Sequence, residues 1–175
     1  MLGLVVAASG GSAWAQVLNS GASTIALQAV LTDSITVSLS GNAVNFNLTS
    51  GSAANPGSTS ITATTTWVLK PSVGSLKVYA FFSNSAAALA DGAGNNIPSA
   101  NFEISNNAGP FTALTNTVPF GGANAGLQLS STRIIGNNKT GSHTDTMNFN
   151  INLGSLPNLP AATYTGTLTI QAQAI

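Results

Sequence analysis

Residues 60–69 read Ser-Ile-Thr-Ala-Thr-Thr-Thr-Trp-Val-Leu. In an extended chain, successive side chains point to opposite faces. Ile61, Ala63, Thr65, Trp67 and Leu69 then share one face, and Thr62, Thr64, Thr66 and Val68 share the other. A helix would scatter the same residues around its circumference. The β-branched threonines favour the extended backbone and suit its solvent side. The stretch predicts a strand with one buried and one hydroxyl-covered face. Trp67 falls in the core, where its indole N–H needs an acceptor.

The same period of two recurs outward from this stretch. Ile25, Leu27, Ala29 and Leu31 alternate with mostly small or polar residues, as do Ile35, Val37 and Leu39, and Val44, Phe46 and Leu48. Met147, Phe149, Ile151 and Leu153 alternate with asparagines, and residues 164–175 place Leu168, Ile170, Ala172 and Ala174 on one face. Residues 76–82 are apolar on both faces, which predicts a central strand. Residues 101–105, 127–130 and 133–135 are shorter candidates, and residues 85–90 are the one stretch that reads as a helical turn. Ser40-Gly41-Asn42, Asn55-Pro56-Gly57, Asp91-Gly92 and Gly136-Asn137-Asn138 mark turns. Strands recurring at about 8–12 residues predict an all-β fold, an antiparallel β-sandwich that packs two apolar sheet faces together.

Composition narrows the role. Only 5% of the 175 residues are charged, with four Lys/Arg against four Asp/Glu, and there is no cysteine. The chain holds 21 Ser, 20 Thr and 19 Asn, and 43% of it is hydrophobic. Four dispersed cations cannot supply the basic surface that nucleic acid requires. Without cysteine there is no disulfide framework and no thiolate metal site. Disorder pairs low hydrophobicity with high net charge, and neither is present. The length fits one domain.

A neutral surface of amides and hydroxyls points to export, since cytoplasmic proteins usually stay in solution through charge. Residues 2–8 are a short apolar run, and Ala13-Trp14-Ala15 gives a small-x-small cleavage signal before Gln16. The expected division is a signal peptide at 1–15 and a single β-sandwich domain at 16–175. No Lys or Arg precedes the apolar run, which leaves the true start of translation open. No stretch reaches the roughly 20 apolar residues of a spanning helix, so no membrane span is expected in the mature chain. The expected location is secreted or cell-surface, by way of a periplasm.

Two clusters invite a chemical reading. Ser142-His143-Thr144-Asp145 holds the only histidine, and on a strand His143 and Asp145 point the same way. A hydrolase would also need an activated nucleophile and an oxyanion hole, and there is no G-x-S-x-G elbow. The alternative is a polar strand entrance. Asp91-Gly92-Ala93-Gly94-Asn95-Asn96 looks like a calcium loop but offers one local carboxylate, and Glu103 would have to come from elsewhere. The alternative is a Gly-rich connection using Asp and Asn for backbone bonds. The expectation is a non-enzyme with no cofactor and no metal.

The terminal runs suggest assembly. Residues 24–31 follow a polar stretch and carry no charge, and Ile25, Leu27, Ala29 and Leu31 would fill alternate pockets of a neighbouring sheet. Such β-strand addition takes affinity from main-chain bonds and register from alternate side chains. Near the other end, Tyr164-Thr165-Gly166-Thr167-Leu168-Thr169-Ile170 reads as a strong strand.

That ending, on a Thr/Asn-rich and charge-poor chain with a signal peptide, resembles the secreted pilin-like proteins of the spore-coat-U and archaic chaperone–usher group. Their ending is typically G-x-Y-x-D-x-V-T-V-x-V. The resemblance implies immunoglobulin-like subunits polymerised by donor-strand exchange with a periplasmic chaperone, and residues 24–31 would be the natural donor. The partners expected are therefore further copies or related subunits. The function expected is an exported structural or adhesive cell-surface protein, a fimbrial-type subunit. The second expectation is a secreted carbohydrate- or ligand-binding β-sandwich module.

Overall fold

The computed structural model describes residues 23–117, 119–120 and 123–175. The signal peptide expected at residues 1–15 lies outside them. The chain divides into two units, Met1–Leu31 and Thr32–Ile175. In the first, residues 23–31 form neither strand nor helix. Ile25, Leu27, Val30 and Leu31 are between 75% and 91% exposed there.

The second unit is built from β1 (Ser34–Leu39), β2 (Ile61–Val68), β3 (Ser75–Phe81), β4 (Leu89–Ala90), β5 (Asn96–Ile97), β6 (Phe102–Asn106), β7 (Phe111–Ala113), β8 (Gly126–Arg133), β9 (Thr140–Ile151) and β10 (Thr169–Ala174). Every strand pairing is antiparallel. One sheet has the order β1-β2-β9-β6-β7, a second the order β10-β3-β8, and β4 pairs with β5 alone. The all-β antiparallel class read from the sequence is the one observed.

The deciding stretch behaves as its pattern dictates. Ile61, Ala63, Thr65 and Trp67 are buried on the inner face of β2. Thr62, Thr64 and Thr66 face out beside Thr146, Thr144 and Ser142 of β9, and Thr66 also lies opposite Thr36 of β1, their hydroxyls 2.6 Å apart. The Trp67 indole N–H finds its acceptor in the Asn138 carbonyl at 2.8 Å. Strand β3 is central in its sheet, as its two apolar faces predicted.

Among the described residues the interior forms two apolar clusters. Ile61, Ala63, Phe82, Phe102, Ile104, Met147, Phe149 and Ile151 belong to the larger. Trp67, Leu69, Leu76 and Ile134 form the smaller. Between Ala63 and Trp67 on β2 stands the buried Thr65, and opposite Ala63 on β9 stands Asp145, with no exposed surface. A polar layer thus crosses the sandwich.

Several expectations change. Residues 127–130 and 133–135 belong to one strand up to Arg133 rather than two. Residues 85–90 form no helical turn; Leu89 and Ala90 pair with Ile97 and Asn96. A short alanine-rich run has too few turns to nucleate a helix, and the Asp91-Gly92 turn folds it back. Strand β7 carries no strong period in sequence and forms on the edge of β6. Residues 44–48 form only an isolated bridge, Phe46 to Gly57, and the last run is a strand from Thr169 rather than from Tyr164.

Candidate functional site

The two runs that fail to become strands face each other across one groove. Its volume is about 980 Å³. Val44, Phe46 and Leu48 supply one wall, and Tyr164, Leu168 and Ile170 the other. The floor is the larger apolar cluster itself, including Phe102, Met147, Phe149 and Ile151. The inner positions of both runs are only half-buried, so their alternation is satisfied on the floor side and open on the other.

Sheet topology explains why the groove stays open. Strand β1 ends one sheet and β10 ends the other, and they pack beside each other. Residues 40–48, beyond β1, and residues 159–168, before β10, part company and leave a groove between them whose half-buried walls stand over floor residues that are themselves buried. Each wall is fastened from behind. Ser58 N–H donates to the Asn45 carbonyl at 2.8 Å. Buried Asn55 anchors the loop behind that wall: its Oδ1 accepts from Thr49 N–H at 2.7 Å, and its Nδ2 donates to the Ile151 carbonyl at 2.8 Å. On the far wall, Thr165 and Ala90 exchange backbone bonds of 2.9 Å in each direction. The Tyr164 hydroxyl donates to the Pro160 carbonyl at 2.8 Å. Partial desolvation pushes this phenol's pKa up, and the charge of Asp91 adds to the rise.

Gly166 is dictated by this wall. A Cβ there would be driven against the Ala88 carbonyl oxygen and lie 3.2 Å from Leu89 Cα. Both obstacles are backbone, so neither can rotate away. The glycine within the run Tyr164 to Ile170 has this steric cause.

The side chains of the other candidates are engaged in hydrogen bonds within the fold. His143 Nε2 lies 3.3 Å from Asp145 Oδ1, so the two do share a side of β9 as their spacing predicted. Asp145 is fully buried, however, and accepts from Asn106 Nδ2 at 2.9 Å, Asn107 Nδ2 at 3.2 Å and Ser130 Oγ at 2.8 Å. The carboxylate stands between serine and histidine, whereas nucleophile activation needs the base to contact the hydroxyl. Residues 142–145 lie at the entrance of β9, as the alternative reading had it, and Asp145 there is a buried cross-sheet clasp.

Asp91 Oδ1 accepts from the backbone N–H groups of Ala93 and Asn95 at 2.8 and 3.0 Å, and Oδ2 from Asn95 Nδ2 at 2.6 Å. Glu103 accepts from Asn150 Nδ2 at 2.7 Å and Asn152 Nδ2 at 3.3 Å, in another part of the fold. The loop closes on itself as an Asx-type turn, and Gly92 meets its need for a positive φ, at 76°. Among the described residues no group of three or more His, Cys, Asp or Glu could hold a metal ion. No helix among them is long and apolar enough to cross a membrane.

Of the sequence-predicted assembly residues, Ile25, Leu27 and Leu31 stand exposed in a segment without strand pairing. The groove itself went unread in the sequence, although its walls were legible as strand-like runs. No family model matches the chain, and neither a curated protein nor a solved structure matches it.

Proposed function

We propose that this chain is an exported structural or adhesive cell-surface protein, a fimbrial-type subunit that assembles by β-strand donation. One observation carries the reading. Two runs with strand periodicity, 44–48 and 164–168, face each other over an apolar groove with no strand between them among the described residues. The orders β1-β2-β9-β6-β7 and β10-β3-β8 leave β10 at the edge of its sheet, where an added strand can pair. The occupant is residues 24–31 of a second copy. Eight extended residues span about 27 Å at roughly 3.4 Å each. They carry no charge to desolvate, and they offer Ile25, Leu27, Ala29 and Leu31 at the alternate spacing a strand-binding groove reads. An exposed apolar run of this kind is a liability in a lone molecule, which fits a subunit kept from its partners until export and, as in the pilin-like group it resembles, handled by a periplasmic chaperone. The role is non-catalytic.

The test is the mass distribution of the chain secreted from a bacterial host, by size-exclusion with light scattering and by denaturing gel before and after boiling. Strand-linked polymers give a ladder that collapses only on boiling. Deleting residues 24–31 abolishes the ladder, and a synthetic peptide of those residues then binds the truncated chain one to one. A monomer that neither polymerises nor, once truncated, takes up the peptide would sink the reading. A monomer whose own residues 24–31 are protected from exchange would reassign the segment to its own groove.

A further inference from the structure

We propose that the outer face of the three-stranded sheet carries a second site, for a saccharide bearing a carboxylate. It is separate from the groove and does not depend on assembly. A pocket of about 350 Å³ is lined by Lys77, Tyr79, Thr115, Asn116, Thr117 and Gln128. That volume lies at the lower end of the roughly 300–1,000 Å³ of small-molecule sites. Each of the six lining side chains carries a hydrogen-bonding group, which is the opposite of the apolar groove.

The backbone arranges this deliberately polar surface. Register places Tyr79 between Gln171 of β10 and Gln128 of β8, and Lys77 between Gln173 and Ser131. A bulge between Val78 and Tyr79 shifts the register at the pocket, and bulges re-aim the side chains beside them. The rim is fixed, because Asn116 and Gly126 exchange backbone bonds of 2.7 and 2.9 Å. Phe120 packs edge-on against Tyr79 at 5.6 Å and stacks on Phe81 at 5.5 Å. These aromatic contacts hold the phenol in one orientation.

Charge supplies the specificity. Among the described residues the carboxylates lie elsewhere: Asp33 pairs with Lys70 at 3.8 Å, Asp145 is in the interior, Glu103 is engaged on the other sheet and Asp91 closes its own turn. Neither Lys77 nor Arg133 has a described carboxylate within 4.0 Å. They share this face, since Lys77 lies opposite Ser131 and Arg133 opposite Ser75. One or two uncompensated cations suit a single carboxylate and are too few for a polyanion that needs a basic stripe. Amides and hydroxyls around them donate and accept alike, which matches the hydroxyl groups of a sugar ring. Tyr79, 8% exposed and packed against Phe120, lines the pocket as a fixed buried side chain and leaves sugar contact to the polar groups around it.

The experiment is calorimetric titration of the full chain with three probes: a galacturonic acid trimer, sialyllactose and a neutral galactose trimer. Saturable binding of one or both acidic probes is expected, and which one binds tells uronate from sialate. The neutral trimer should bind more weakly. Lys77→Gln should weaken acidic binding about tenfold, the loss of one charge-assisted bond, and leave neutral binding unchanged. Gln128→Ala should weaken both. Neither substitution touches the core, and circular dichroism checks that each variant folds. No binding of either acid, or acidic binding unmoved by both Lys77→Gln and Gln128→Ala, would overturn the proposal.

Discussion

Ser130 Oγ donates to Asp145 Oδ2 at 2.8 Å, and this bond joins β8 of one sheet to β9 of the other through the interior. Asn106 reinforces it, donating from one Nδ2 both to Asp145 Oδ1 at 2.9 Å and to the Leu129 carbonyl at 3.0 Å. In a chain with four acidic residues, one is spent on fixing how the sheets meet.

This clasp sets the first prediction. Asp145→Ala leaves the half-buried Ser130 and Asn106 and the exposed Asn107 without this acceptor and opens a void. The expected loss is about 3–5 kcal/mol in urea unfolding. Asp145→Asn keeps the shape but turns an amide N–H₂ toward donors, and should cost about 1–2 kcal/mol. Equal stability of the alanine variant and the parent would show that the clasp contributes nothing.

Gly166→Ala should destabilise by at least about 2 kcal/mol, since the added methyl meets the Ala88 and Leu89 backbone. Gly136→Ala is the control, because a Cβ there meets nothing within 4 Å. Thermal unfolding of the pair reads the difference. If the two glycines behave alike, the steric account of Gly166 fails.

Register in the proposed donor is testable by charge. Leu27→Asp places a carboxylate among apolar groove residues and should abolish the boiling-sensitive ladder, because a lone buried charge is costly. Gln28→Asp, on the opposite face, should leave the ladder in place. The denaturing gel before and after boiling separates the two outcomes, and the reverse pattern would shift the donor by one residue.

Acid should loosen the β4–β5 turn. The side-chain bond from Asn95, with the backbone N–H groups of Ala93 and Asn95, holds the Asp91 pKa below its ordinary 3.8. A carboxyl lowered in the folded state stabilises above its unfolded pKa, and that contribution is lost as pH falls through the folded value. Amide signals of Ala93 and Asn95, followed by NMR, should therefore be constant at neutral pH and shift together below 3.8. Asp91→Asn should remove the transition. Signals that do not move in acid would refute the role of this carboxylate.

Period-two alternation was enough to place Ile61, Ala63 and Trp67 inside and Thr62, Thr64 and Thr66 outside, because an extended backbone sorts neighbouring side chains whatever surrounds it. It also showed β3 to be central and Trp67 to need an acceptor. The same rule could not tell which strand-like runs would find a partner. Val44, Phe46 and Leu48 have the pattern as plainly as β2 does, yet they line a groove, since a strand forms only where another edge offers hydrogen bonds. Nor could spacing along the chain reveal that Asp145 meets Ser130 and Asn106, or that Lys77 and Tyr79 lie under residues 115–117. The sequence by itself determined the class of fold and the inward face of the plainly alternating strands such as β2, which are local properties of the backbone. The order of the strands, the polar layer and the gap left between two unpaired runs were decided only in three dimensions, because each is a meeting of residues far apart in the chain.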